Sequence, residues 1–589
     1  MSIHSLRHSK MGPSKLGRSK LGRSLLGRSS LAKTLLLALA ATFALTCGTA
    51  QAEDSKAKPI AIVAFNSLDN LFQDANFLGG LAGQGNLSAQ YQPMLKGFTP
   101  GLDHTKPIGL IVQSDGITPS GALCLPVTDL KQLLAVLKNF GVLSEDTGNG
   151  TFEISANGST LIARESNGWA FLSMPGMLED LPDNPGELFA ALTKDYDLGV
   201  RLHVQNIPEA FRQMALSQVQ MGMEAGMKKL DTESDEQYEA RKAMTKVQVD
   251  QIKQAAQDLD ELTFGLAIDG EQQRTFIDIV YTAVAGSNLA EKIAINSNPK
   301  TDFAGFFQPD AAMMMTFASK IGESDIAQIE QMFGAISKQI DTAIEEEADT
   351  ESEEDKELLK SAVNDFLQSF KATLQAGKMD GGAVLNISSN SLSLVAGGFN
   401  ADPAKVESGL KKLVEIAKHE EEKFPGVNWN SASHADVQFH TLSLPIPADE
   451  ETAHELFGET LDMAVGIGKE TAYFALGRDC LKAIQGIMDT SAASPQKSVP
   501  PMEMTFALAQ IMETIATFAD EDDKAQIEMI ANMLSNEANG RDHVRIVVQS
   551  IPNGARTRIE AEEGVLRAFG MAAKAAQEKK MQAAGAGGF

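Results

Sequence analysis

The chain has three cysteines, two tryptophans and five tyrosines in 589 residues. So few cysteines exclude a disulfide framework, and Cys124 and Cys480 are expected to be separately buried thiols. The shortage of Trp and Tyr argues against a sugar-binding cleft, which needs stacking rings. No HExxH or GxSxG motif occurs, and no Lys follows the Gly-rich patch at 79–85 to make a phosphate loop. Basic charge is scarce too: 51 Lys and Arg stand against 78 Asp and Glu, a net charge of −27. That surface repels nucleic acid and anionic membranes, so neither is an expected partner. After residue 52 no apolar run is long enough to span a bilayer.

What is present begins with a leader. Residues 1–33 hold eight Lys or Arg and no acid; an apolar run, Leu35 to Leu45, follows, then Ala50-Gln51-Ala52. This is the layout of an export signal cleaved after Ala52, which places the chain in the periplasm or outside the cell. Thr46 before Cys47 makes a poor lipobox, so a lipid anchor is not expected. Removing the eight basic residues from a net charge of −27 leaves −35 on about 537 residues, too many for one ordinary domain.

Leu262, Phe264, Leu266 and Ile268 alternate with Thr263, Gly265, Ala267 and Asp269, the period of a half-buried strand. Asp269-Gly270 reads as the turn of a hairpin that returns from Arg274 to Val284, and Ser287 or Asn288 caps a helix after it. The same plan of strand, helical arm, hairpin and helix recurs from Pro59, Leu198, Phe303 and Met502. Strands at Thr151–Ser155, Ser159–Arg164 and Gly168–Ser173, with a short helix from Pro175 to Leu181, form an insert in the first half. Val437–Leu444, Met463–Ile467 and Thr471–Leu476, with a helix at Cys480, form its counterpart. Without a gap, Phe171 aligns with Phe474, Met177 with Cys480 and Leu178 with Leu481. The expectation is an α+β protein of two tandem pseudo-repeats, 57–296 and 301–577, each with an antiparallel β-sheet and long helical hairpin arms. Residues 579–589 read as a disordered tail.

A long basic leader, a small-x-small cleavage site, an acidic mature chain and paired β–α–β–β–α modules resemble the uncharacterised exported proteins common in planctomycete bacteria. The stretch Tyr473-Phe474-Ala475-Leu476-Gly477 carries the resemblance best. The resemblance covers most of the chain but brings no catalytic motif, so it implies no site residue.

Three kinds of chemistry remain to weigh. His434 and His440 are six residues apart and expected on one side of a strand; with His454 they form a candidate three-ligand zinc set. Surface histidines on a partly exposed strand are the plainer account. The acidic runs near 231–236, 345–357 and 520–523 lack the spacing that wraps calcium and read as solvated turns. Met221, Met223 and Met227 in one arm, and Met313, Met314 and Met315 in the next, read as pliable packing, with an apolar ligand groove as the second reading. These features point to an exported non-catalytic binding or scaffolding protein of the cell envelope, needing no cofactor, whose partner is an envelope protein or an apolar ligand. The alternative is an exported hydrolase with an unsignalled acid pair or the histidine zinc site.

Overall fold

The computed structural model describes residues 57–572, apart from short stretches near 82–86, 117–118, 157–158, 179–183, 230–234, 324–351, 389, 421–423, 520 and 538–539. The leader and the residues from 573 onward, where the expected tail falls, lie outside the described residues.

Alternating apolar and polar residues produce strands almost throughout. The first half contains β1 Lys58–Phe65, β2 Ile108–Ser114, β3 Pro119–Pro126, β4 Leu143–Gly148 and β5 Thr151–Ala156. It continues with β6 Ser159–Ser166, β7 Trp169–Ser173, β8 Leu198–His203, β9 Leu259–Asp269 and β10 Arg274–Ala283. The second half opens with the two-residue β11 Lys300–Thr301, then β12 Met313–Lys320, β13 Lys378–Ser388, β14 Ser391–Phe399, β15 Asn428–His434 and β16 Val437–Pro445. It closes with β17 Thr460–Ile467, β18 Thr471–Gly477, the short β19 Lys497–Ser498, β20 Met502–Ala507, β21 His543–Ile551 and β22 Gly554–Glu562. β11 and β19 pair only with each other.

The other twenty strands form one antiparallel sheet. In the first half the pairings run β4-β5-β6-β7-β3-β2-β1-β8-β9-β10. In the second they run β15-β16-β17-β18-β14-β13-β12-β20-β21-β22. The halves meet where β10 pairs with β22, Ile277 opposite Ile559 and Asp278 opposite Arg558.

Helical hairpins leave the sheet between β1 and β2, β8 and β9, and β20 and β21, and a long helix, Glu353–Gln375, lies between β12 and β13. The helix Glu353–Gln375 presents Phe370 to Phe333, with ring centroids 5.8 Å apart. Ser287 caps the helix Asn288–Ile295 by accepting from the Ala290 N–H, and Asp129 caps Leu130–Leu137 through Gln132. No helix among the described residues is long and apolar enough to cross a membrane.

Three expectations need correction. Phe303–Phe307 is no strand but a 3-10 turn around buried Phe306, and the strand is Met313–Lys320, so Met313–Met315 belong to the sheet and not to an arm. Pro175-Gly176 makes a turn, with Gly176 at φ +81°, and the helix begins ten residues later, at Pro185–Thr193. The ungapped match of Phe171 to Phe474 fails as well: Phe171 is 1% exposed in the core, whereas Phe474 is 37% exposed and its neighbour Tyr473 takes the inward place. A one-residue slip along a strand exchanges its two faces.

One sheet face holds the core in each half. In the first, the helix Pro185–Thr193 lays Phe189 and Leu192 over Ile62, Ile111 and Phe171. In the second, the helix Cys480–Ala492 lays Ile484 and Ile487 over Val384, Val395 and Phe439.

Candidate functional site: the apolar sheet face

Cross-strand neighbours in an antiparallel sheet point to the same side. Followed strand by strand, one row reads Phe65, Leu198, Leu266, Ile277, Ile559, Ile546, Met504, Met315. The adjacent row reads Leu110, Val63, Val200, Phe264, Ile279, Thr557, Val548, Met502 and Phe317. No charged residue interrupts either row, and both cross the junction between the halves.

This face is not the one that holds the two main cores. Phe65, Leu110, Leu123, Phe264, Ile277, Ile559 and Phe474 are each exposed by 37–46%. Together they leave roughly 500 Å² of apolar surface in water, the size at which a patch on a monomer marks an interaction site. Its ends are covered. The helix Leu130–Leu137 packs Leu130, Leu133 and Leu134 on Phe152 and Ala163 beyond β3. At the other end, Glu407 of the helix Pro403–Glu420 approaches His440, which shares a cross-strand line with Val465 and Phe474.

The opposite face near the junction is polar and ion-paired. Arg558 donates to both oxygens of Asp278 at 2.8 Å, and its guanidinium lies 3.7 Å from the Phe276 ring centroid. Arg274 binds Glu560 at 2.8 Å, and Arg545 binds Glu503 at 2.8 Å. His203 meets Glu261 at 3.0 Å and, through that hydrogen bond, holds its carboxyl below the usual range. At its centre the sheet therefore turns an ion-paired polar face one way and a charge-free apolar face the other.

The three candidate zinc ligands each engage a separate partner. His434 ends β15, one strand before His440, and its Nε2 meets Asp489 at 2.7 Å. His440 is buried in β16; its Nδ1 accepts from the Asn430 N–H at 3.1 Å, so the proton sits on Nε2, facing Glu407 at 3.9 Å. His454 lies in the helix Glu451–Phe457, with Nε2 3.1 Å from the Pro447 carbonyl. No group of three His, Cys, Asp or Glu among the described residues is placed to hold a metal. The local strand pattern could not show that β15 and β16 fold back on each other between the first two histidines. The thiols are equally unsuited to chemistry: both are free and buried, and burial pushes Cys124 up to about 12 and Cys480 to about 11. At Cys480 burial outweighs the favourable helix start.

One acid pair stands out. Asp74, on the helix Leu68–Leu81, is raised to about 7 by burial and by neighbouring Asp197. Asp74 Oδ2 has no hydrogen-bond partner among the described residues, while Asp197 accepts from Asn66 Nδ2 and the Ile268 N–H. The folded chain thus holds the Asp74 proton more tightly than the unfolded chain. Its contribution to stability is complete below the unfolded value of 3.8 and is lost as pH rises through about 7. Asp74→Asn, neutral at every pH, should raise stability by about 1 kcal/mol at pH 8 after allowance for solvent screening, and by nothing near pH 4. Urea unfolding at the two pH values checks this, and equal effects at both would refute it.

No protein-family model matches the chain, and neither curated proteins nor solved structures show a match. The geometry of the chain itself therefore carries the functional argument.

Proposed function

We propose that this is an exported, non-catalytic binding protein of the cell envelope, and that the uncharged face across β1, β8, β9, β10, β22, β21, β20 and β12 is where its partner sits. The observation that carries the reading is the exposure of Phe264, Ile277 and Ile559 in rows free of charged residues, with ion pairs such as Asp278–Arg558 on the other side. Exposed side chains of this size cost stability unless something covers them. The basic leader with Ala50-Gln51-Ala52 supports export, and the likeness to planctomycete exported proteins fits the same address.

Two tandem copies, 57–296 and 301–577, explain why the two halves repeat one strand order and join through their last strands. Duplication then doubles a surface too small for its partner in one copy. Nile red, a neutral dye that brightens in apolar surroundings, tests the reading. The chain without its leader should enhance the dye, and the double variant Ile277→Asp/Ile559→Asp should lose the enhancement while keeping its far-UV spectrum. No enhancement with the unsubstituted chain overturns the reading. The Asp74–Asp197 pair favours a second reading, an exported hydrolase; hydrolysis abolished by Asp74→Asn but kept by the Ile277 variant would select it.

A further inference from the structure

We infer that the occupant of the apolar face is a lipid with long acyl chains and a neutral or zwitterionic headgroup. The inference rests on the binding reading above and names the chemistry of the partner. Three features of the chain select it.

Size and shape come first. From β1 to β12 the charge-free rows cross eight strands, seven spacings of ~4.8 Å, or roughly 34 Å, most exposed at β1, β9, β10 and β22 and half-buried at β21, β20 and β12. An acyl chain in a bilayer leaflet extends about 15 Å, so two fit along the rows. The rows twist by about 20° per strand, and flexible hydrocarbon follows such a surface. A second copy laid face to face does not: it would meet about four strands before the twists diverge, roughly 400 Å² per partner against the ~800 Å² of a standard interface.

Charge comes second. The rows hold no charged side chain, and the chain as a whole carries a net charge of −27. Stacking two such chains sets like charges together, and an anionic headgroup meets the same repulsion. A neutral or zwitterionic headgroup escapes it.

The third feature is the plasticity of the surface. Met315, Met502 and Met504 supply the β20–β12 end of the rows, and thioether side chains adapt to a fluid partner better than branched ones do. Beyond the sheet, the helix Leu87–Phe98 exposes Tyr91, Met94, Leu95 and Phe98 by 38–50%, at spacings of three and four that place them on one side. A helix with such a stripe lies flat on a lipid surface, which gives the chain a way to meet the bilayer it loads from.

The experiment incubates the chain without its leader with palmitoyl-oleoyl phosphatidylcholine vesicles, separates the two by gel filtration, and measures lipid phosphorus in the protein peak. Near-stoichiometric phosphatidylcholine is expected, with about tenfold less for Ile277→Asp/Ile559→Asp and for phosphatidylglycerol vesicles. Phe98→Asp should slow loading without lowering the final amount. Nile red bound to the unsubstituted chain with no lipid acquired from either vesicle overturns the lipid inference and leaves the binding reading standing. Neither dye nor lipid bound removes both. Sedimentation as a dimer that Ile277→Asp/Ile559→Asp splits into monomers also overturns the inference, since the occupant is then a second copy.

Discussion

Arg558→Ala should destabilise the chain by about 3–5 kcal/mol, among the largest effects of any single surface-reaching residue. Asp278 is fully buried at the seam between the halves, where it takes two hydrogen bonds from Arg558 at 2.8 Å and one from the Tyr196 hydroxyl at 3.1 Å. Removing the guanidinium leaves that carboxylate in a dry place with a single neutral donor. It also strips a cation from the Phe276 ring. Lysine is no remedy, because one ammonium cannot supply two parallel bonds in the plane of the carboxylate. The pair is nevertheless no net source of stability by necessity, since bringing both charges out of water is costly. Asp278→Leu/Arg558→Met should therefore recover most of the loss. What the pair contributes is register: slipping β10 against β22 by one residue would set Asp278 among the apolar rows. Urea unfolding of the two single variants and the double variant measures this. A cost below about 1 kcal/mol for Arg558→Ala would show that the seam is not closed as described.

The strands that form this seam were plain in the amino-acid order. Leu262 to Ile268 alternate without a fault, and Asn553-Gly554 marks the second hairpin, with Asn553 at φ +54°. The first hairpin does consist of paired strands, but its turn is longer than Asp269-Gly270, and Gln273 takes the positive φ. The two strands that local pattern missed in the inserts, Leu143–Gly148 and Asn428–His434, are the two ends of the sheet. An end strand facing water on several sides has no apolar rhythm to detect; every residue of Leu143–Gly148 is exposed. Met313–Lys320 has the opposite difficulty: three consecutive methionines hide the alternation of buried Met314 with half-buried Met313 and Met315, and suit a helix as well as a strand. The candidate surface was half legible. Alternation shows which side chains share a face, but it is silent on whether another layer covers that face. Asp74 gave no signal at all, because its neighbour Asp197 is far along the chain and only the packing of an arm helix on the sheet unites them.

Phe189→Ala should cost about 3–5 kcal/mol and is the sharpest test of how the covered face is held. Phe189 is fully buried, edge-on to Trp169 at 5.8 Å, and its ring lies where a side chain on Gly109 would be: a methyl there would stand 2.3 Å from the ring. Gly265 stands in the same relation to the Tyr196 ring, and Gly199 to Leu192. Glycine on β2, β8 and β9 thus lets the helix Pro185–Thr193 and the turn after it sit directly on the backbone of the sheet. Gly109→Ala alone overpacks this contact and should cost about 1–3 kcal/mol. With Phe189→Ala in place the new methyl enters the void that the ring has left. The double variant should then be at least about 1 kcal/mol more stable than the sum of the two single losses predicts. Strict additivity would mean that ring and glycine do not meet. Both substitutions lie on the core side of the strands that carry Leu110, Val200 and Phe264 outward. Below its lowered melting point the double variant should therefore still bind Nile red, whereas Ile277→Asp should fold with little loss and bind none. That crossed outcome assigns stability to one side of the sheet and binding to the other.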